Sequence, residues 1–259
     1  MAKRLESILS LEGQCILVTG ASSGLGRHFA KVLAAHGASV AVAARRVDQL
    51  ESLVADIVFE GGRARAFALD VTDRASVVRT LDSIRDDFGP VDVLVNNAGV
   101  SDSKPLHQYT DEDWSRIVDT NLKGAWVVAQ EVSRQMIGLQ RPGNLINITS
   151  ILASRVAGAI GPYIAAKAGL SHLTKAMAFE LARHQIRVNS IAPGYVMTEL
   201  NTEFLESEAG EKLKSRIPQR RFCKPEDLDG PLLLLASSAS SAMTGAEIVV
   251  DGGHLCSSL

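Results

Sequence analysis

Cysteine is scarce in this 259-residue chain, with only Cys15, Cys223 and Cys256, far apart and at neither metal-ligand nor redox spacing. No metal site is expected from them, and a reducing, cytoplasmic setting is the simplest reading. Aromatic residues make up only 5% of the chain against 46% hydrophobic residues in all, so the core must be mostly aliphatic. No sign of charge dominates: 27 basic residues face 29 acidic ones, for a net charge of -2. That balance gives no electrostatic reason to expect nucleic acid or an anionic membrane as a partner. Long apolar runs are missing too. Behind Lys3 and Arg4 the apolar residues are broken by Glu6, Ser7, Ser10 and Glu12, too soon for a signal core, and nothing approaches a membrane span. Residues 1–13 read as a short, partly helical leader on the surface. With no repeat, linker or low-complexity tract, residues 14–259 are expected to form one domain.

What is present is an alternation of short β-rich apolar runs with amphipathic helical stretches. Strands are predicted over 14–19, 39–44, 64–70, 91–95, 144–150, 186–192 and 247–253, with helices between them. One long helix is expected from Asp111 to about Met136, with Trp114, Ile117, Leu122 and Trp126 among its buried residues. Such alternation with short links implies an α/β fold, a Rossmann-like doubly wound parallel sheet of about seven strands with helices on both faces. Ligands of such sheets bind beyond the strand carboxyl ends. From 195 to about 221 the chain turns irregular and polar, and an excursion of that length suggests a lid over a substrate. In the last helix, Gly230 and Pro231 predict a kink or a restart, with Asp229 as a cap.

The chemistry-bearing residues fall at those strand ends. The first strand runs into Gly20, Ser22, Ser23, Gly24, Leu25 and Gly26 and then into a helix. That order suits a phosphate, because small residues let the backbone approach and the helix N-terminus presents free N–H groups. Arg45 and Arg46 follow the second strand where an NAD site would carry an acid. They either grip a 2′-phosphate, favouring NADP(H) over NAD(H), or are simply solvated. The glycine turn offers no basic residue to assist Arg45. Asp70, next to Val71, either receives the adenine amino group or caps the following helix. Asn96 and Asn97 can tie strands together, while Ala98 and Gly99 leave room for a ribose. Asn121 is a polar amide among apolar neighbours and needs a partner. Ser150 ends the fifth strand. Tyr163 and Lys167 are four apart, so on a helix they share a face, and the ammonium is expected to draw the phenol toward working pH. Pro193 and Gly194 close the sixth strand. Ile151, Leu152, Ile160, Tyr195, Leu200 and Phe204 are either substrate-pocket walls or plain core residues.

These pieces resemble the classical short-chain dehydrogenase/reductase family over nearly the whole chain. The likeness is carried by TGASSGLG at Thr19 to Gly26, NNAG at Asn96 to Gly99, Asn121 in DTNLKG, Ser150, YIAAK at Tyr163 to Lys167, and PGYVMT at Pro193 to Thr198. It implies a catalytic tetrad of Asn121, Ser150, Tyr163 and Lys167 and direct hydride transfer between nicotinamide and a carbonyl carbon. Tyr163 would exchange the proton and Ser150 would polarise the carbonyl. Lys167 would hold the nicotinamide ribose, and Asn121 would fix a water linking Lys167 to solvent. Val196 and Thr198 would grip the carboxamide. A homotetramer packed through the helices around Asn121 and Tyr163 is implied as well. The expected activity is that of an NADP(H)-dependent carbonyl reductase or alcohol dehydrogenase on a small-molecule ketone, including 3-oxoacyl groups, and the apolar candidate walls favour a hydrophobic ketone over a sugar. A catalytically silent cofactor sensor or structural subunit is the alternative, and the retained Tyr163 and Lys167 argue against it.

Overall fold

The computed structural model describes residues 7–199 and 201–257. Seven strands appear in the predicted places: β1 (Cys15–Thr19), β2 (Ser39–Ala44), β3 (Arg63–Ala68), β4 (Val93–Asn96), β5 (Gly143–Ile148), β6 (Ile186–Pro193) and β7 (Glu247–Val250). They form one sheet in the order β3-β2-β1-β4-β5-β6-β7, every neighbouring pair parallel. The chain builds outward from β1 to β3, then returns to pair β4 with the other side of β1. That reversal opens a crevice at the carboxyl ends of β1 and β4.

Strand alternation sends successive side chains to opposite faces, and both faces are covered. Ile16 and Val18 of β1 pack with Phe29 and Leu33 of α1 (Gly24–Ala35), Leu50 and Ile57 of α2 (Val47–Phe59) and Leu232 near the C-terminus. Cys15 and Leu17 face the other way, toward Leu81 and Ile84 of α3 (Arg74–Phe88). Each of these fully buried aliphatic side chains contributes about 1.5–3 kcal/mol. Burial and the neighbouring Asp92 push the Cys15 thiol up to about 12, so it acts as a packing group.

Several expectations need correction. The helix predicted over 111–136 is two α-helices, α4 (Asp111–Val118) and α5 (Ala125–Gly138), joined by a π-helical turn over Asp119–Gly124. Trp114 and Trp126 are not buried, at 49% and 37% exposed; Trp126 instead carries the Arg74 guanidinium over its ring. The leader is not confined to the surface either, because Leu11 is fully buried and its N–H donates to the His36 carbonyl.

The helix α6 (Gly161–Leu181) carries Tyr163 and Lys167. The segment after β6 is less irregular than expected. It holds α7 (Thr202–Leu205) and α8 (Glu208–Lys214), and a small core of its own from Leu205, Ile217 and Phe222. Near the end, a 3-10 turn at Pro225–Leu228 leads into α9 (Asp229–Ala236). Pro231 therefore falls in the first turn of a restarted helix, where its missing N–H costs nothing. Asp229 does not cap that helix; its carboxylate pairs with His28 Nε2 at 2.6 Å.

Candidate active site

The carboxyl ends of the strands open into one cleft of about 860 Å³. Gly20 forms its floor at φ +67°, and a Cβ there would sit 2.7 Å from the Ala98 Cα. Only glycine satisfies both conditions. Thr19 and Asn97 hold this turn against β4: the Asn97 and Ala98 N–H groups donate to Thr19 Oγ1, both at 3.0 Å, and Asn97 Nδ2 donates to the Thr19 and Gly20 carbonyls. Asn96 ties strands in the same way, through Asn147 and the Ala125 carbonyl. Gly26 lies behind the turn, where a Cβ would collide with the Gly20 carbonyl. It shapes the turn and does not line the cleft.

Helix α1 starts at this turn without a side-chain cap from Ser23 and with no acid in its first turn. Its Gly24 N–H donates instead to Glu199 Oε1 at 2.9 Å. Arg46 crosses from the end of β2 to Ser22 Oγ (3.0 Å) and Ser23 Oγ (2.9 Å). The loop thus has basic support after all, supplied by the adjacent strand. Arg45 is exposed on the same wall, close enough to help hold the Asp70 carboxyl below its usual range. The larger cause is Thr72, whose Oγ1 and N–H both donate to Asp70 Oδ1. Asp73, not Asp70, caps α3.

At the other end stand Ser150, Tyr163 and Lys167. Ser150 Oγ accepts the Leu152 N–H at 3.1 Å, which leaves its own proton free to donate. Lys167 is 4% exposed; its Nζ donates to the Ile148 carbonyl at 2.7 Å and lies 5.7 Å from the centre of the Tyr163 ring. Burial lowers the Lys167 pKa to about 8. The Tyr163 phenol shifts upward, opposite to the sequence-based expectation. Desolvation outweighs the Ser150 hydroxyl, which pulls it down. Asn121 stands apart: fully buried in the π turn, it accepts the Val100 N–H (2.8 Å) and donates to the Val100 carbonyl (2.6 Å). Its amide is thereby satisfied and clamps the loop after β4, and it does not face the cleft.

Gly20, Ser22, Ser23, Gly24, Leu25, Arg45, Arg46, Asp70, Val71, Asn97, Ala98, Gly99, Pro193, Gly194, Val196 and Thr198 all line the cleft, as do Ile151, Leu152, Ile160 and Tyr195. Phe204 does not. Its helix spends Leu205 on the small core and leaves Phe204 53% exposed. Leu200 lies outside the described residues. Sequence reading missed Ser101, Arg116, Thr120, Thr149 and Asn201 on the cleft wall. For Arg116 and Thr120 a signal existed, since both lie within a turn or so of Asn121.

The family described as Enoyl-(Acyl carrier protein) reductase matches residues 20–254. Gluconate 5-dehydrogenase of Gluconobacter oxydans (strain 621H) is 38% identical over 247 residues, covering 95% of this chain and 96% of the relative. The 3-oxoacyl-(acyl-carrier-protein) reductase FabG of Thermotoga maritima is 39% identical over 245 residues, covering 95% of this chain and 99% of that protein. A solved gluconate 5-dehydrogenase from Burkholderia cenocepacia J2315, in complex with NADP and tartrate, superposes with a TM-score of 0.93 at 34% identity, covering 98% of this chain and all of that one.

Proposed function

This chain belongs to the classical short-chain dehydrogenase/reductase family, and on that premise we propose that it interconverts a ketone and a secondary alcohol with NADP(H). The reading rests on one juxtaposition. A cleft with the N-terminus of α1, two arginines and two serine hydroxyls at one end has Ser150, Tyr163 and Lys167 at the other. The donor set fits a dinucleotide bearing an extra phosphate, because Arg45 and Arg46 offer forked donors where a ribose hydroxyl alone would need an acid. When bound, the nicotinamide supplies or accepts the hydride. Ser150 donates its free hydroxyl proton as a hydrogen bond to the carbonyl oxygen, and Tyr163 delivers the proton that completes the alcohol. The Lys167 ammonium stabilises the phenolate left behind. Asn121 is a positioning residue, acting through Val100. Residues 195–221, with their separate small core, serve as a lid over the substrate end.

Ile151, Leu152 and Ile160 support a ketone with an apolar chain, such as a 3-oxoacyl thioester. Ser101, Arg116 and Thr120 on the same cleft support a second reading, a polyhydroxy acid of the gluconate type. Exposed Trp126 and Phe179, on α5 and α6, support assembly through those helices into a homotetramer, which sedimentation would test. NADPH consumption over a panel of 3-oxoacyl thioesters, 5-ketogluconate and simple ketones tests the main reading. One class of ketone should be consumed by the wild type and not by Tyr163→Phe. No consumption with any ketone would leave a silent cofactor-binding protein.

A further inference from the structure

We infer that Glu199 is a latch that competes with the cofactor's pyrophosphate for the N-terminus of α1. The inference rests on the NADP(H) reading above. A helix N-terminus attracts anions through its free N–H groups and its dipole, and a phosphate oxygen is the expected occupant in this fold. Here the Gly24 N–H is taken by the Glu199 carboxylate, reaching across from the far side of the cleft. No lysine or arginine pairs with Glu199 among the described residues, so this backbone donor is what holds the carboxylate. The chain around it is folded to present it. Thr198 N–H and Oγ1 both donate to Asn201 Oδ1, at 2.9 and 3.3 Å, and Asn201 Nδ2 closes the loop onto the Val196 carbonyl at 2.9 Å. Beyond this root, Leu205, Ile217 and Phe222 form a core separate from the two that cover the sheet. The part that carries this small core is thus packed apart from the main core, while Val196 at its base stays within the latter. Two anions cannot share the one N–H, so pyrophosphate entry expels Glu199 and frees the segment that follows it from the nucleotide end of the cleft. The latch lowers cofactor affinity and couples cofactor binding to the segment over the substrate.

Two measurements test this. NADPH binding is titrated by fluorescence for wild type, Glu199→Gln and Glu199→Ala, alongside adenosine 2′-monophosphate, which has no pyrophosphate. Hydrogen exchange is followed at the Gly24 amide without any nucleotide. NADPH should bind about threefold to tenfold more tightly to Glu199→Ala, with Glu199→Gln between the two, because its amide oxygen still accepts but carries no charge. Affinity for the 2′-monophosphate should stay unchanged, and the Gly24 amide should exchange faster in Glu199→Ala than in wild type. Unchanged or weaker NADPH binding by Glu199→Ala, or an unchanged Gly24 amide, overturns the latch while leaving the cofactor reading intact. Failure of the wild type to bind either nucleotide overturns both.

Discussion

At the nucleotide end of the cleft, the groups that face a ligand are backbone amides and side chains standing where strands stop. Their positions follow from sheet geometry, and their charges stay in contact with water. At the other end, Lys167 is buried and Tyr163 half-buried on the cleft wall, and desolvation has moved both of their proton affinities: Lys167 down to about 8 and Tyr163 upward. The first end is cheap to build and recognises by shape and charge. The second is costly, because an ammonium without a carboxylate partner sits in the interior, held by a single carbonyl. Recognition and chemistry are thus separated along one groove.

The sharpest break in that contrast would come from Tyr163→Phe. It should lower turnover by about a thousandfold while NADPH affinity stays within twofold; a matching loss of affinity would merge the two ends into one site. Next in size is Lys167→Met, which should lower turnover by about a hundredfold and yet stabilise the fold. Below pH 8 the buried ammonium is charged in both states and its desolvation counts fully against folding. Between about 8 and 10.5 the folded lysine is neutral while the unfolded one still binds a proton, so wild-type stability rises with pH. The variant should be more stable at pH 7 by about 2 kcal/mol after losing the Ile148 hydrogen bond, with the gain shrinking toward pH 10.5. Urea melts at both pH values would show the crossing, and a destabilised variant at pH 7 would mean that the ammonium is better solvated than its burial implies.

Smaller effects should sharpen the recognition end. Arg45→Ala should raise the Michaelis constant for NADPH about tenfold and that for NADH less than twofold. Arg46→Ala should raise both, because Arg46 also organises Ser22 and Ser23; equal specificity for NADPH in the Arg45 variant would refute the 2′-phosphate assignment. Least of all, Phe204→Ala should change no Michaelis constant by more than about twofold, since that ring faces solvent.

The same division explains what the sequence made legible. The sheet, its order of elements and the nucleotide end could be read because glycines, strand-end asparagines and arginines have local causes. Tyr163 and Lys167 could be read as a pair because helical spacing puts them on one face. The direction of the Tyr163 shift could not, since it depends on how much water the surrounding chain removes. Trp126 was misplaced because a helical period was carried straight through a turn that does not keep it, whereas Trp114, ahead of that turn, lies on the outer side of α4 while Ile117 takes the inner one. Phe204 and Leu205 are neighbours of similar hydrophobicity, and only the packing of Ile217 and Phe222 decides which of them is buried. Glu199 meets Gly24 across the fold, a contact that no periodicity encodes.

The π turn at Asp119–Gly124 fits one more residue into its coil than an α-helix would. Removing one residue from it would let α4 and α5 run on as one regular α-helix with their faces kept, because the surplus residue is what the wide turn absorbs, but the turn that projects Asn121 would be gone. Asn121 would swing off Val100, and the backbone beyond β4 would lose its peg. A single-codon deletion here should therefore leave a folded protein with a loosened cleft, whereas the same deletion among residues 164–166 of α6, a regular helix, would take Tyr163 and Lys167 off their shared face.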